Sequence, residues 1–366
     1  MGTQEHGISE KNVKMRALLL VSAVRVALHG VLCYSVTVPG CAWGRNPTEV
    51  QLMNESDSNH PISHALRIDP AQVAGRIEEF IRSAVSDYRR DGVLLGLSGG
   101  IDSAVVAGLA ARALGADRVA VLLLPERDSS PSSKADALVE IARLGITYRE
   151  VSLTPMLSAL GIYDLLPLHI LGIRQVKSAV VRQQHRKQAE ALGETPFRAG
   201  LLGTRDLGAP KHLIDAGNAY ARAKHRLRMV TLYYYADQEN RLVLGTTNRS
   251  EAETGFVVKW GDNVADIEPI LPLYKTQVRQ LAAHLGVSAA IIEKAPSPDL
   301  LPGIEDELAL GIDYATLDSI LWGLDRGWSD EQIAGGVGVT VGQAAHAREM
   351  QRRSVHLRAA PPAPEL

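Results

Sequence analysis

The chain has 366 residues, of which 46% are hydrophobic and 22% charged, enough apolar material for one large or two modest domains with a real core. A formal net charge of −2 gives no global attraction to nucleic acid or to an anionic membrane, so neither is expected as a partner. The two cysteines, Cys33 and Cys41, make neither a disulfide framework nor a zinc site, and a reducing, cytoplasmic setting fits them best.

Lys14 to Arg16 precede an apolar run, Ala17 to Val24, which Arg25 interrupts. The run has some features of a secretory signal, but it is too short and broken for a membrane helix. Residues 1–65 read as a disordered leader, or as the product of a start placed too early, with Met53 as the true start. The globular domain is drawn over 66–366. Asp69-Pro70 opens a helix, with Asp as cap and Pro at the first helical position. Val73, Ile77, Phe80, Ile81 and Val85 then recur at helical spacing. Val93 to Leu97 reads as a buried parallel strand, followed by a glycine-rich turn and a helix from Ser103 to Leu114. The alternation continues with a strand at Arg118–Leu124, a helix at Ser133–Leu144 and a strand at Thr147–Leu153. A long helix at Ala219–Ala236 then leads into a buried strand at Leu242–Gly245. The expected fold is α/β: an open parallel sheet of about five strands with helices on both faces. Residues 160–215 interrupt the rhythm as an insertion with a basic helical stretch, Arg174–Arg186. That stretch reads as a solvated face, or alternatively as a lid over anionic substrates. A helical C-terminal part covers 271–366. Its end, from Trp328 to Ala345, looks like a helix-turn-helix, but with little positive charge it reads as a structural pair.

The sharpest local signal is Ser98-Gly99-Gly100-Ile101-Asp102-Ser103 between a strand and a helix. Glycines allow close backbone approach, and the amides at a helix N-terminus then converge on an anion such as pyrophosphate. The spacing is that of neither the Rossmann nor the Walker loop. A second cluster, Gly245-Thr246-Thr247-Asn248-Arg249-Ser250-Glu251, follows a buried strand, where α/β proteins place ligands. Lys259-Trp260-Gly261-Asp262 and Ala265-Asp266-Ile267 come after it on what reads as a glycine-punctuated loop.

The first motif resembles the SGGxDS loop of ATP pyrophosphatases (the adenine nucleotide alpha-hydrolase-like fold). The second, with Arg226-Leu227-Arg228-Met229 and the Leu232–Ala236 segment upstream, resembles ammonia-dependent NAD synthetases. Pro125–Ser129, Pro272–Lys275, Pro296–Leu300 and Glu305–Ile312 add to the likeness, which spans Ile68 to Arg358. It implies ATP-dependent amidation of deamido-NAD through an acyl-adenylate, with release of AMP and pyrophosphate. By the same resemblance Gly96, Leu97, Ser98, Gly99, Gly100, Ile101, Asp102 and Ser103 cradle ATP, together with Arg127, Thr246, Lys275 and Ser297. Asp102 and Glu251 hold Mg²⁺, Asp102 and Lys275 serve the chemistry without any side-chain nucleophile, and Arg226, Lys259, Asp266 and His356 hold deamido-NAD. A homodimer is implied, with Tyr233–Tyr235 as a candidate contact. The alternative is another ATP pyrophosphatase acting on a different substrate.

Three departures stand out. Asn263-Val264 replaces the Gly-Gly of the family's GDGGAD, Arg222 stands where the family carries Asn, and the terminal HKR survives as His356-Leu357-Arg358. No glutaminase segment is recognisable before Ile68, so free ammonia is the expected donor, with a separate glutaminase subunit left open as a partner.

Overall fold

The computed structural model describes residues 65–166, 168, 172–203 and 211–364. The expected leader, apart from Ala65, and both cysteines lie outside the described residues.

The first helix, α1 (Pro70–Asp87), starts as its sequence dictates, with the Asp69 carboxylate accepting from the amides of Ala71 and Gln72. Strand β1 (Gly92–Gly96) is followed by α2 (Ile101–Leu114), β2 (Val119–Leu123), α3 (Pro131–Leu144) and β3 (Thr147–Glu150). The inserted region carries the short helices α4 (Thr154–Ala159) and α5 (Ile162–Leu165), then α6 (Arg174–Leu192) and α7 (Pro196–Leu202). Helix α8 (Lys211–Gln238) is longer than its apolar periodicity suggests and leads into β4 (Arg241–Val243). Beyond it come α9 (Arg249–Thr254), α10 (Lys275–His284), α11 (Ala289–Glu293), α12 (Asp306–Leu310), α13 (Tyr314–Asp325), α14 (Asp330–Val337), α15 (Val341–Arg353) and α16 (Val355–Arg358).

Among the described residues the sheet has four parallel strands, in the order β3-β2-β1-β4, one fewer than the sequence suggests. Beyond β4, a single parallel bridge joins Leu244 to Ile267. Side chains alternate across the sheet as strand geometry requires. Val93, Leu95, Val119, Val121 and Leu123 face one core with α1, α2 and α10. Leu94, Ala120, Leu122 and Val243 face the other, under Leu232, Tyr233 and Ala236 of α8. With both faces covered, the strands read as continuous apolar runs. A separate core joins Leu317, Ile320 and Leu321 of α13 to Ile333, Ala344 and Ala347, so α14 and α15 pack against the body of the protein as a helix pair.

The strand order places the functional elements. The chain leaves β1 toward β2 and β3, then returns to add β4 on the other side of β1. The junction of β1 and β4 is therefore the point where the connections diverge, and the carboxyl ends of the strands at such a point are where open α/β sheets bind ligands.

Candidate active site

Two turns rise from that junction. After β1, Gly99 takes φ +73°, and a Cβ there would lie 2.1 Å from the carbonyl oxygen of Ser133, so only glycine fits. The Ser103 hydroxyl donates to the Gly100 carbonyl at 3.0 Å and accepts from the Ser98 amide at 3.2 Å. Ser98 Oγ accepts from the Gly100 amide at 3.2 Å and lies 3.1 Å from Ser103 Oγ. The two serines thus lock the turn into shape at the N-terminus of the 14-residue α2, where the N-cap residue, Gly100, offers the first amides no side chain.

After β4, a stretch that the sequence suggests is a loop contains α9. Asn248 caps it: its Oδ1 accepts from the Glu251 amide at 3.1 Å, while Glu251 Oε2 accepts from the Asn248 amide at 3.3 Å. The remaining Asn248 donor, Nδ2, reaches Asp102 Oδ1 at 3.0 Å, across 146 residues of sequence. Asn248 therefore ties the turn after β1 to the turn after β4. The sequence reading gave it no role, although its Asn-x-x-Glu spacing is a capping-box signature.

Lys275, the first residue of α10 and 2% exposed, closes the centre. Its Nζ donates to Asp102 Oδ2 at 2.5 Å and to Glu251 Oε1 at 3.3 Å. The two carboxylates assigned to a metal thus meet at one cation. Burial opposes the Lys275 charge, but Asp102 and Glu251 outweigh it and hold the ammonium protonated. Burial pushes the Glu251 carboxyl up, Lys275 pulls it back, and Asp102 adds repulsion. Asp306 is a third, buried acid facing this group. Its pKa is raised to about 6 by burial, offset in part by Lys275 and by the Tyr314 hydroxyl, which donates to it at 3.0 Å.

The other expected ATP-binding residues are more dispersed. Thr246 is half-buried on the β4 turn. Ser297 Oγ donates to the Ile304 carbonyl at 2.9 Å within its own loop. Arg127 lies 3.7 Å above the Tyr163 ring and 3.6 Å from Asp128, in a buried cluster with Glu126, Tyr220 and Lys224. No contact among the described residues joins it to the 98–103 turn.

Three of the four expected substrate residues come together. Both Nε and Nη2 of Arg226 donate to the Lys259 carbonyl at 3.3 Å, and Lys259 Nζ donates to the His356 carbonyl at 2.6 Å. The His356 ring is turned away, with Nδ1 2.8 Å from the Arg353 carbonyl. Asp266 is exposed but braced, with Oδ2 accepting from the Val243 amide at 2.7 Å and Oδ1 from the Tyr233 hydroxyl at 3.3 Å. Asn263, a departure from the family pattern, accepts from the amide of Trp260 (φ +64°) at 3.0 Å and donates to the Leu357 carbonyl at 3.0 Å. It fastens the loop around Trp260 to the C-terminal tail, a role that glycine has no side chain to fill.

The NAD synthase family profile matches residues 73–165 and 206–361. The chain is a member of the NAD synthase family. It is 43% identical over 258 residues to the NH(3)-dependent NAD(+) synthetase of Coprothermobacter proteolyticus, covering 70% of this chain and 86% of that one. It is 44% identical over 247 residues to the Thermotoga maritima protein of the same name, covering 68% and 85%. Among solved structures, an NMN synthetase from Francisella tularensis aligns with a TM-score of 0.60 at 27% identity, over 82% of this chain and 100% of that one. An NH3-dependent NAD synthetase from Campylobacter jejuni aligns at 0.57 and 25%, over 81% and 100%. The fold is thus that of the NAD synthases.

Proposed function

We propose that this chain is an ammonia-dependent NAD synthetase, converting deamido-NAD, ATP and ammonia to NAD, AMP and pyrophosphate. The observation that carries the reading is the convergence of Asp102 and Glu251 on one cation beside an anion-binding turn, at the β1/β4 junction. The named reaction of the Coprothermobacter and Thermotoga relatives supports it, and nothing favours a different ATP pyrophosphatase.

In this reading the amides and hydroxyls of 96–103 hold the ATP phosphates, and Thr246, Arg127 and Ser297 contact other parts of the bound ATP or its α-phosphate. Asp102 and Glu251 fit Mg²⁺: both are hard oxygen donors, and this ion is commonly held by one or two carboxylates together with phosphate oxygens and water. When bound, it neutralises polyphosphate charge. Lys275 keeps its proton and stabilises charge on the phosphates. Arg226, Lys259, Asp266 and His356 hold deamido-NAD with its carboxylate toward the α-phosphate. That carboxylate attacks phosphorus, pyrophosphate leaves, and ammonia then attacks the acyl carbon, so catalysis is positioning and electrostatics.

The proposal extends to one catalytic domain over 66–366 with the 160–215 insertion, a cytoplasmic location and a homodimer. No described helix is long and apolar enough to cross a membrane. Val230 and Tyr234 of α8, each 56% exposed, are candidate dimer contacts. The test is AMP and pyrophosphate release from ATP, run with deamido-NAD and with its mononucleotide counterpart, because the Francisella neighbour is named for NMN. Release that needs both deamido-NAD and ammonia supports the proposal; release with neither, or only with another acid, removes it.

A further inference from the structure

The inserted helix α6 is docked onto the segment 296–306 at two points and onto Asp128 at two more. Arg174, its first residue, donates through Nη1 to the Asp128 carbonyl and through Nη2 to Asp299 Oδ1 at 3.1 Å. Lys177, one turn later, lies 4.0 Å from Asp128 Oδ1. Ser178 packs against Gly303, where a Cβ would come within 2.8 Å of Ser178 Cβ and where φ is +83°.

The segment so held is itself tightly connected. Asp299 has φ +49°, unusual for a non-glycine residue, and its Oδ2 accepts from the Ser130 amide at 2.8 Å. Its amide donates to Ser297 Oγ at 3.2 Å. Lys224, fully buried, donates to the Leu300 carbonyl at 2.9 Å, and the Asp306 amide donates to the Pro296 carbonyl at 2.9 Å. Ser130 immediately precedes α3, whose Ser133 carbonyl abuts Gly99 of the phosphate turn. Asp306, at the far end, faces Lys275. Arg174 therefore grips a segment that runs from the expected ATP contact Ser297 to the buried acid beside the catalytic lysine.

We propose that α6 is a brace that holds the 296–306 segment over the nucleotide, and that Arg174 is its positioning residue. This rests on the reading of Ser297 as a nucleotide neighbour. Losing the guanidinium leaves Asp299 in a left-handed conformation with one partner fewer, so the segment loosens and water reaches the acyl-adenylate. Water attack on the acyl carbon regenerates the deamido-NAD carboxylate and releases AMP, with two protons passing to solvent, so AMP forms without NAD.

The test compares Arg174→Ala, Arg174→Lys, Gly303→Ala and Ser297→Ala in the full chain. Arg174→Ala should raise the ATP KM by about fivefold, the upper range for a partly exposed ion pair. It should also raise the AMP-to-NAD ratio above one while leaving the deamido-NAD KM unchanged. Lysine can reach only one of the two acceptors and should give an intermediate effect. Gly303→Ala, which forces α6 off the segment with Arg174 intact, should reproduce the leak and decides the matter if Arg174→Ala does not fold. Wild-type ATP KM and a ratio of one in both Arg174→Lys and Gly303→Ala would overturn the brace. Ser297→Ala with an unchanged ATP KM would instead overturn the Ser297 reading, and the ratio would still report on the brace.

Discussion

Lys275 is held where a buried ammonium is tolerable only because two carboxylates meet it, and each carboxylate is tolerable only because of the lysine. Removing one partner of such a group leaves uncompensated buried charge, which costs more than the pair itself contributes. Lys275→Met should therefore lower kcat/KM on the order of 100-fold, the scale of losing one preorganised electrostatic contact, with thermal stability also reduced. Steady-state kinetics and a melting curve on the same preparation check this. Glu268 offers a contrast. Its carboxyl accepts from the Thr247 amide at 3.2 Å, yet burial, with repulsion from Asp262 and Glu251, raises its pKa from 4.5 to about 8. A carboxyl raised in the folded state binds a proton there that the unfolded chain has released, so its contribution is full below about pH 4.5 and is lost as pH rises through about 8. Glu268→Gln, which stays neutral, should gain Tm relative to the parent between pH 6 and pH 8.5. A Tm difference that does not change over that range would contradict this assignment.

At the scale of elements, two tight turns are joined by one side chain. Gly99→Ala should be severe, because the added Cβ meets the Ser133 carbonyl at 2.1 Å in a left-handed backbone. The expected outcome is a lower Tm together with loss of measurable ATP binding by calorimetry. The SGGIDS turn was legible because its chemistry is local: glycines for backbone approach, serines for internal hydrogen bonds and an acid at the helix start. The Asp69-Pro70 cap was legible for the same reason. Lys275 could be singled out by resemblance, but its ion pairs could not be read from the chain, since Asp102 lies 173 residues away and the packing of α10 against α2 brings them together. Helix α9 was missed because its six residues are too few to show a period, and the capping box was its single local trace. The buried Glu126–Asp128–Lys224 cluster was likewise invisible, because a lysine on a long helix ordinarily reads as solvated and its two partners lie 98 and 96 residues away on the loop after β2.

For the whole molecule, the C-terminal tail is fastened to the loop that carries the proposed substrate residue Lys259. Arg358 donates to the Ala252 carbonyl at 2.7 Å, while the His356 and Leu357 carbonyls receive Lys259 and Asn263. The tail thus holds the loop of Lys259 and Asn263 by main-chain atoms, and this explains how a divergent His-Leu-Arg ending is compatible with the fold. Truncation after Ser354 should raise the deamido-NAD KM by more than it raises the ATP KM, measured with the other substrates saturating. The central claim is that the substrate carboxylate itself attacks the α-phosphate held at the β1/β4 junction. Deamido-NAD labelled with ¹⁸O in both carboxylate oxygens tests it by mass spectrometry of the products. The account expects one ¹⁸O in AMP and one in the amide of NAD; unlabelled AMP, or label in pyrophosphate, would contradict it.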